Sequence, residues 1–172
     1  MSMSMLPPIP APLQAALIDQ FNFERFSAEV YGALSAALDA INLEGFSAYL
    51  NSRSTEERQH AGKFSTYLAD RGARPVFSAL VAPVVPAFVG PMEGGKACFT
   101  AALAHEVMVT ERLSVLYALA YELDDPQTCE FLRWFIAEQT EEMATLDVWL
   151  TKFELASGNG AAILFLDHEA GG

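Results

Sequence analysis

A glutamate and a histidine three residues apart, Glu57 and His60, sit in the middle of a long stretch with helical periodicity. Residues three apart in a helix share a face. Three-four steps along this stretch pass through Phe46, Leu50, Arg53, Glu57, His60, Phe64 and Tyr67, so the pair interrupts a largely apolar, inward-facing stripe. A carboxylate there costs several kcal/mol unless something neutralises it. Three more stripes carry the same interruption. Glu24 lies among Leu17, Ser27, Tyr31, Leu34, Leu38 and Ile41, and Glu106 among Phe99, Leu103, Thr110, Leu113 and Tyr117. Gln139 and Glu142 lie among Leu132, Phe135, Leu146, Trp149 and Phe153. Four helices with polar residues at one depth point to a shared site.

Four glutamates carry four negative charges, which two divalent cations cancel. Oxygen ligands with a single imidazole suit iron or manganese, and zinc less well; without thiolates, copper(I) and iron–sulfur clusters are disfavoured. In di-iron carboxylate bundles two helices supply one glutamate each and two supply a Glu-x-x-His pair. Here the first pair is Glu57 and His60, but Gln139 and Glu142 replace the second. One metal would then hold an imidazole and the other only oxygen. A more loosely held second iron suits oxidation and onward transfer better than a permanent cofactor.

The elements that position these residues are legible in the chain. The sequence predicts an all-α fold: a four-helix bundle with one long crossover between helices 2 and 3, plus a short fifth helix. It reads as a single domain over residues 1–172, with an extended tail at 1–11, bundle helices at 12–41, 44–71, 91–121 and 125–156, and a terminal helix at 161–169. Pro12 suits an opening turn, Gly72 a left-handed stop with Pro75 preventing resumption, and Asp124-Asp125-Pro126 an acidic N-cap with proline at the first helical position. Residues 73–90 hold Pro75, Pro83 and Pro86. Extended, such a segment reaches ~60 Å, enough to cross a ~40 Å helix and start the next one parallel to it.

The 172 residues suffice for a sizeable core, and 52% hydrophobic content argues against disorder. No uncharged run reaches the ~18 residues a spanning helix needs. Met1 to Gln14 lacks the basic region of a signal peptide and the arginines of a mitochondrial presequence, so a cytoplasmic location is expected. A net charge of −12 makes nucleic acid and anionic membrane poor partners and metal cations reasonable ones. Cys98 and Cys129 fall near the starts of consecutive antiparallel helices, roughly 45 Å apart, too far for a bridge. Ile163 to Leu166 are consecutive apolar residues beyond a glycine hinge, a patch that calls for another chain.

The sequence resembles the ferritins, specifically the non-haem ferritins of bacteria and archaea, over nearly its whole length. The resemblance is carried by Asn22-Phe23-Glu24, Glu44-Gly45-Phe46-Ser47, Glu56-Glu57-Arg58-Gln59-His60-Ala61, His105-Glu106-Val107, Phe131-Leu132-Arg133-Trp134-Phe135 with Glu138-Gln139-Thr140-Glu141-Glu142, and Leu164-Phe165-Leu166-Asp167. It implies a ferroxidase that oxidises Fe(II) with oxygen or peroxide and stores Fe(III) as mineral in a homo-oligomeric cage of 24 subunits. By position, Glu24, Glu57 and His60 would bind the first iron, and Glu57, Glu106 and Glu142 the second. Gln139 would orient oxygen or water, and Tyr31 would donate an electron. Glu56, Glu138 and Glu141, with Glu142, match a third iron site. Arg58 stands where bacterioferritins place a haem-binding methionine, so no haem is expected. Gln59 and Gly62 replace cavity-facing glutamates of animal ferritins, and Phe88 a common tryptophan. The rival readings are a di-iron oxidase or peroxidase that stores nothing, and a bundle without metal chemistry.

Overall fold

The computed structural model describes residues 7–156 and 158–172, which form five helices. These are α1 (Ala11–Asp39), α2 (Glu44–Asp70), α3 (Gly90–Glu122), α4 (Pro126–Leu155) and α5 (Gly160–Ala170). Among the described residues there is no strand. The first six residues of the expected tail lie outside the described residues. No described helix is long and apolar enough to cross a membrane.

Local chemistry sets the helix ends. Gly72, at φ 75°, closes α2 with paired reverse bonds, Ala73 N–H to Leu68 O at 2.8 Å and Gly72 N–H to Ala69 O at 3.0 Å. Asp125 caps α4 by accepting from Thr128 N–H at 2.9 Å, with Pro126 in the first turn. The same carboxylate takes both ends of the Arg71 guanidinium at 3.0 and 2.8 Å, tying the end of α2 to the start of α4. The N-terminus of α2 has no cap of its own, because Leu43 stands at that position. Asp167 of α5 supplies one, accepting from Phe46 N–H at 2.8 Å.

Short turns at 40–43 and 123–125 make antiparallel hairpins of α1 with α2 and α3 with α4. The hairpins meet in opposite sense too. On α1 and α3, Gln20 meets Arg112 and Ser27 meets His105; on α2 and α4, Arg53 meets Glu142 and Tyr67 meets Thr128. Helices α2 and α3 are therefore parallel, and residues 73–89 span the bundle to join them. Asn22 clips this crossover to α1: its amide donates to Val76 O at 2.8 Å and its carbonyl accepts from Ser78 N–H at 2.9 Å.

The interior is two apolar bodies rather than one. At one end Leu34, Leu38, Phe46, Phe99, Trp149 and Phe153 pack together with Ile163 and Leu166 of α5. At the other, Leu13, Leu17, Phe64, Leu113, Leu132 and Phe135 do so. Cys98 belongs to the first body and Cys129 to the second, and both are free thiols. On α3 the buried line runs through Phe99, Ala102, Glu106, Val109, Leu113 and Leu116, while Leu103, Thr110 and Tyr117 are half-buried flanks. A helix packed against α1, α4 and α5 buries a sector wider than one stripe, so three-four stepping catches its edge.

Candidate metal centre

Between the two apolar bodies lies a layer of carboxylates. Glu24 and Glu57 are each 1% exposed, Glu106 0% and Glu142 6%, and His60 and Gln139 are buried beside them. Each helix of the bundle contributes. Glu24 comes from α1 on the face that also carries Ser27 and Tyr31, and Glu106 from α3. The i, i+3 pairs Glu57–His60 and Gln139–Glu142 come from α2 and α4. The apolar residues one turn above and below fix the depth of each polar one, which is why four separate helices deliver them to one level.

Two sets of three potential ligands meet there, each with its ligand atoms within 4.8 Å of one another: Glu24, Glu57 and His60, and Glu57, Glu106 and Glu142. Glu57 is common to both. Hydrogen bonds from residues behind the layer set the carboxylate orientations. Gln20 donates to Glu24 at 2.7 Å, and the Tyr31 phenol donates to Glu106 Oε1 at 2.5 Å. The Gln139 amide donates to Glu106 Oε2 and, at 3.2 Å, to the Glu106 carbonyl. His60 Nδ1 lies 3.3 Å from Glu57 Oε2, and the rings of Trp134 and Phe135 flank the imidazole edge-on.

Among the described residues, three buried carboxylate oxygens have no hydrogen-bond partner: Glu24 Oε2, Glu57 Oε2 and Glu142 Oε2. Burial is the main force on all four acids. It raises Glu24, helped by the Glu57 charge, and raises Glu57, helped by Glu106 and Glu142. Glu106 also rises through burial, against the opposing hydrogen bonds from Tyr31 and Gln139. Glu142 is pushed up to about 7 by burial and then by Glu106. Burial and the Glu106 charge likewise keep Tyr31 a neutral phenol. Orphaned oxygens on mutually repelling, desolvated carboxylates are the donor set that a pair of divalent cations satisfies.

The remaining sequence-expected residues are not gathered into that layer. Glu56 is half-buried and ion-paired to Arg53, Glu138 is half-buried and Glu141 exposed. Arg58 points outward, donating to Ser54 Oγ at 2.9 Å. His105, beside Glu106 in sequence, turns away to meet Ser27 Oγ at 2.7 Å and stack on Phe23, and burial pushes its pKa down to about 4.

Sequence reasoning gave no role to Arg53, Gln20 or Asn22. Arg53 pairs with both Glu142 and Glu56. Its signal was present, a cationic residue on the core-facing stripe one turn before Glu57. Gln20 stands four residues before Glu24, the spacing of a side chain that reaches the next turn.

A family model for the ferritin-like domain matches residues 14–156. A bacterial non-heme ferritin of Staphylococcus aureus (strain MRSA252) is 34% identical over 159 residues, covering 92% of this chain and 93% of that protein. A probable bacterial non-heme ferritin-like protein of Haemophilus influenzae is 30% identical over 155 residues, covering 90% and 91%. Among solved structures, an open-pore ferritin of the archaeon Archaeoglobus fulgidus superposes with a TM-score of 0.88 at 34% identity, covering 95% of this chain and 98% of that one.

Proposed function

The chain belongs to the ferritin family, and on that premise we propose that it is an iron-storage protein with ferroxidase activity. Fe(II) is its substrate, and mineral Fe(III) inside a closed homo-oligomeric shell is its product. The observation that carries this reading is the trio of unpartnered carboxylate oxygens on Glu24, Glu57 and Glu142, converging with His60 and Glu106 in a water-poor layer.

In this mechanism Glu24, Glu57 and His60 hold one Fe(II), and Glu57, Glu106 and Glu142 hold the other, with Glu57 shared. Each Fe(II) gives up one electron. Dioxygen takes the two electrons with two protons and leaves as hydrogen peroxide; hydrogen peroxide takes them with two protons and leaves as two waters. Gln139, already donating to Glu106, orients the oxidant or water beside the second ion. Where only one Fe(II) is bound, Tyr31 is placed to give the second electron that the oxidant needs, its phenolic proton passing to Glu106 along the existing hydrogen bond, and a later Fe(II) with a proton returns the tyrosyl radical to the phenol. The carboxylates suit both oxidation states, since hard oxygen donors favour the more charged ion as it forms. The second ion has only oxygen ligands and is the one that moves on to the mineral.

Shell formation is supported by the exposed apolar side chains of the crossover and of α5, Val81, Val84, Leu164 and Phe165 among them. Two free cysteines are compatible with the cytoplasm. Anaerobic Fe(II) titration of the metal-free protein, followed by air and electron microscopy, tests the reading. Binding of about two ions per chain, then Fe(III) absorbance and dense cores within particles, is expected. Absence of binding rejects it, and oxidation without cores assigns a di-iron oxidase that stores nothing.

A further inference from the structure

Arg53 is the one cationic side chain brought against the carboxylate layer by the helices described here, and it is not a ligand. It projects from α2 one turn before Glu57, with its side chain only 18% exposed, and divides its guanidinium between two acids. Nη1 pairs with Glu56 Oε2 and Nη2 with Glu142 Oε1. Glu142 is thereby split. Its Oε2 is unpartnered among the described residues, while its Oε1 is taken by Arg53, and the residue as a whole groups with Glu57 and Glu106.

We propose that Arg53 is a tethered cation occupying the place of a third metal ion, so that each subunit holds two ions and not three. The inference deepens the two-metal reading above and rests on it. A third ion on the outer side of the layer would draw on Glu56, Glu138, Glu141 and the second oxygen of Glu142. Two of those four acids are already bound to Arg53, and the other two, half-buried and exposed, are not drawn in. Like charge keeps a divalent cation from sharing the same oxygens. An arginine stays protonated across the whole working pH range, so no proton transfer releases the site. Only rotation of the side chain does.

The test counts ions rather than turnover. Metal-free shells of the wild type, Arg53→Gln and Arg53→Lys are titrated anaerobically with Fe(II) by calorimetry, and ions are located by anomalous diffraction at the iron edge. About two ions per chain are expected for wild type and Arg53→Lys, and about three for Arg53→Gln, the extra one between Glu56 and Glu142. Three ions in the wild type, or two in a folded Arg53→Gln, overturns the proposal while leaving the two-metal centre intact. No ions in the wild type overturns the reading beneath it. If Arg53→Gln does not assemble, the wild-type anomalous map decides: a peak bridging Glu56 and Glu142 refutes the role of Arg53, and peaks confined to the two inner groups support it.

Discussion

Burial, and then the Glu106 charge, push the Glu142 carboxyl up to about 7 from its ordinary 4.5, since both disfavour the ionised form. The folded state therefore holds this proton more tightly than the unfolded chain does. Its contribution to stability is complete below about 4.5 and is lost as pH rises through about 7. Metal-free protein should accordingly lose up to about 3 kcal/mol through this one group between pH 5 and pH 8. Glu142→Gln, which stays neutral, should lack that slope, so the variant gains on the wild type as pH rises. Denaturation of both metal-free proteins at pH 5 and pH 8 checks this, and parallel profiles would sink it. The acids themselves were legible in the sequence, because a charge on an apolar stripe is anomalous wherever the helix packs. Their partners were less so. That Gln20 faces Glu24, or that Arg53 reaches across to α4, depends on which helix lies opposite, and periodicity within one helix does not record that.

Helix α5 docks through contacts that leave no room for variation at one position. A Cβ on Gly45 would lie 1.7 Å from the Asp167 carbonyl oxygen, and Gly171 packs against the same glycine. This close approach lets the Asp167 side chain reach Phe46 N–H and cap α2 from outside. Gly45→Ala should push α5 away, removing that cap and the cover that Ile163 and Leu166 give the adjoining apolar body. Loss of a cap alone costs about 1 kcal/mol, and with the lost burial the melting temperature should fall by about 5 °C or more. Thermal melting with limited proteolysis beyond Leu155 reads both effects; an unchanged melt and a protease-resistant α5 would contradict the docking account. At this scale Gly72, Asp125-Pro126 and the proline-rich crossover announced themselves, since each fixes backbone geometry locally. The cap supplied by Asp167 did not, because it joins residues 121 apart in the chain. The clip made by Asn22 on the crossover escaped notice for the same reason.

At the scale of the whole molecule, the crossover and α5 both present exposed apolar side chains among the described residues. Val76, Val81, Val84 and Val89 are each more than half exposed, as are Leu164 and Phe165. Chains cut after Ala156 should keep the helical bundle and its Fe(II) binding but sediment as small species, whereas the full chain should sediment as a large particle. Analytical ultracentrifugation separates the outcomes, and a truncated chain that still builds the large particle would remove α5 from the assembly. The sequence marked Ile163 to Leu166 as one patch calling for another chain; the structure corrects this, burying Ile163 and Leu166 against the chain's own bundle and leaving Leu164 and Phe165 exposed, because a helix turns its residues to different faces. The division of the interior into two apolar bodies has a consequence for the cargo. Each half of the bundle is closed mainly by apolar side chains outside the acidic layer, so most of the scaffold's packing does not depend on the layer being filled. On the storage function proposed above, iron would be loaded and withdrawn while the frame stands, as a depot requires.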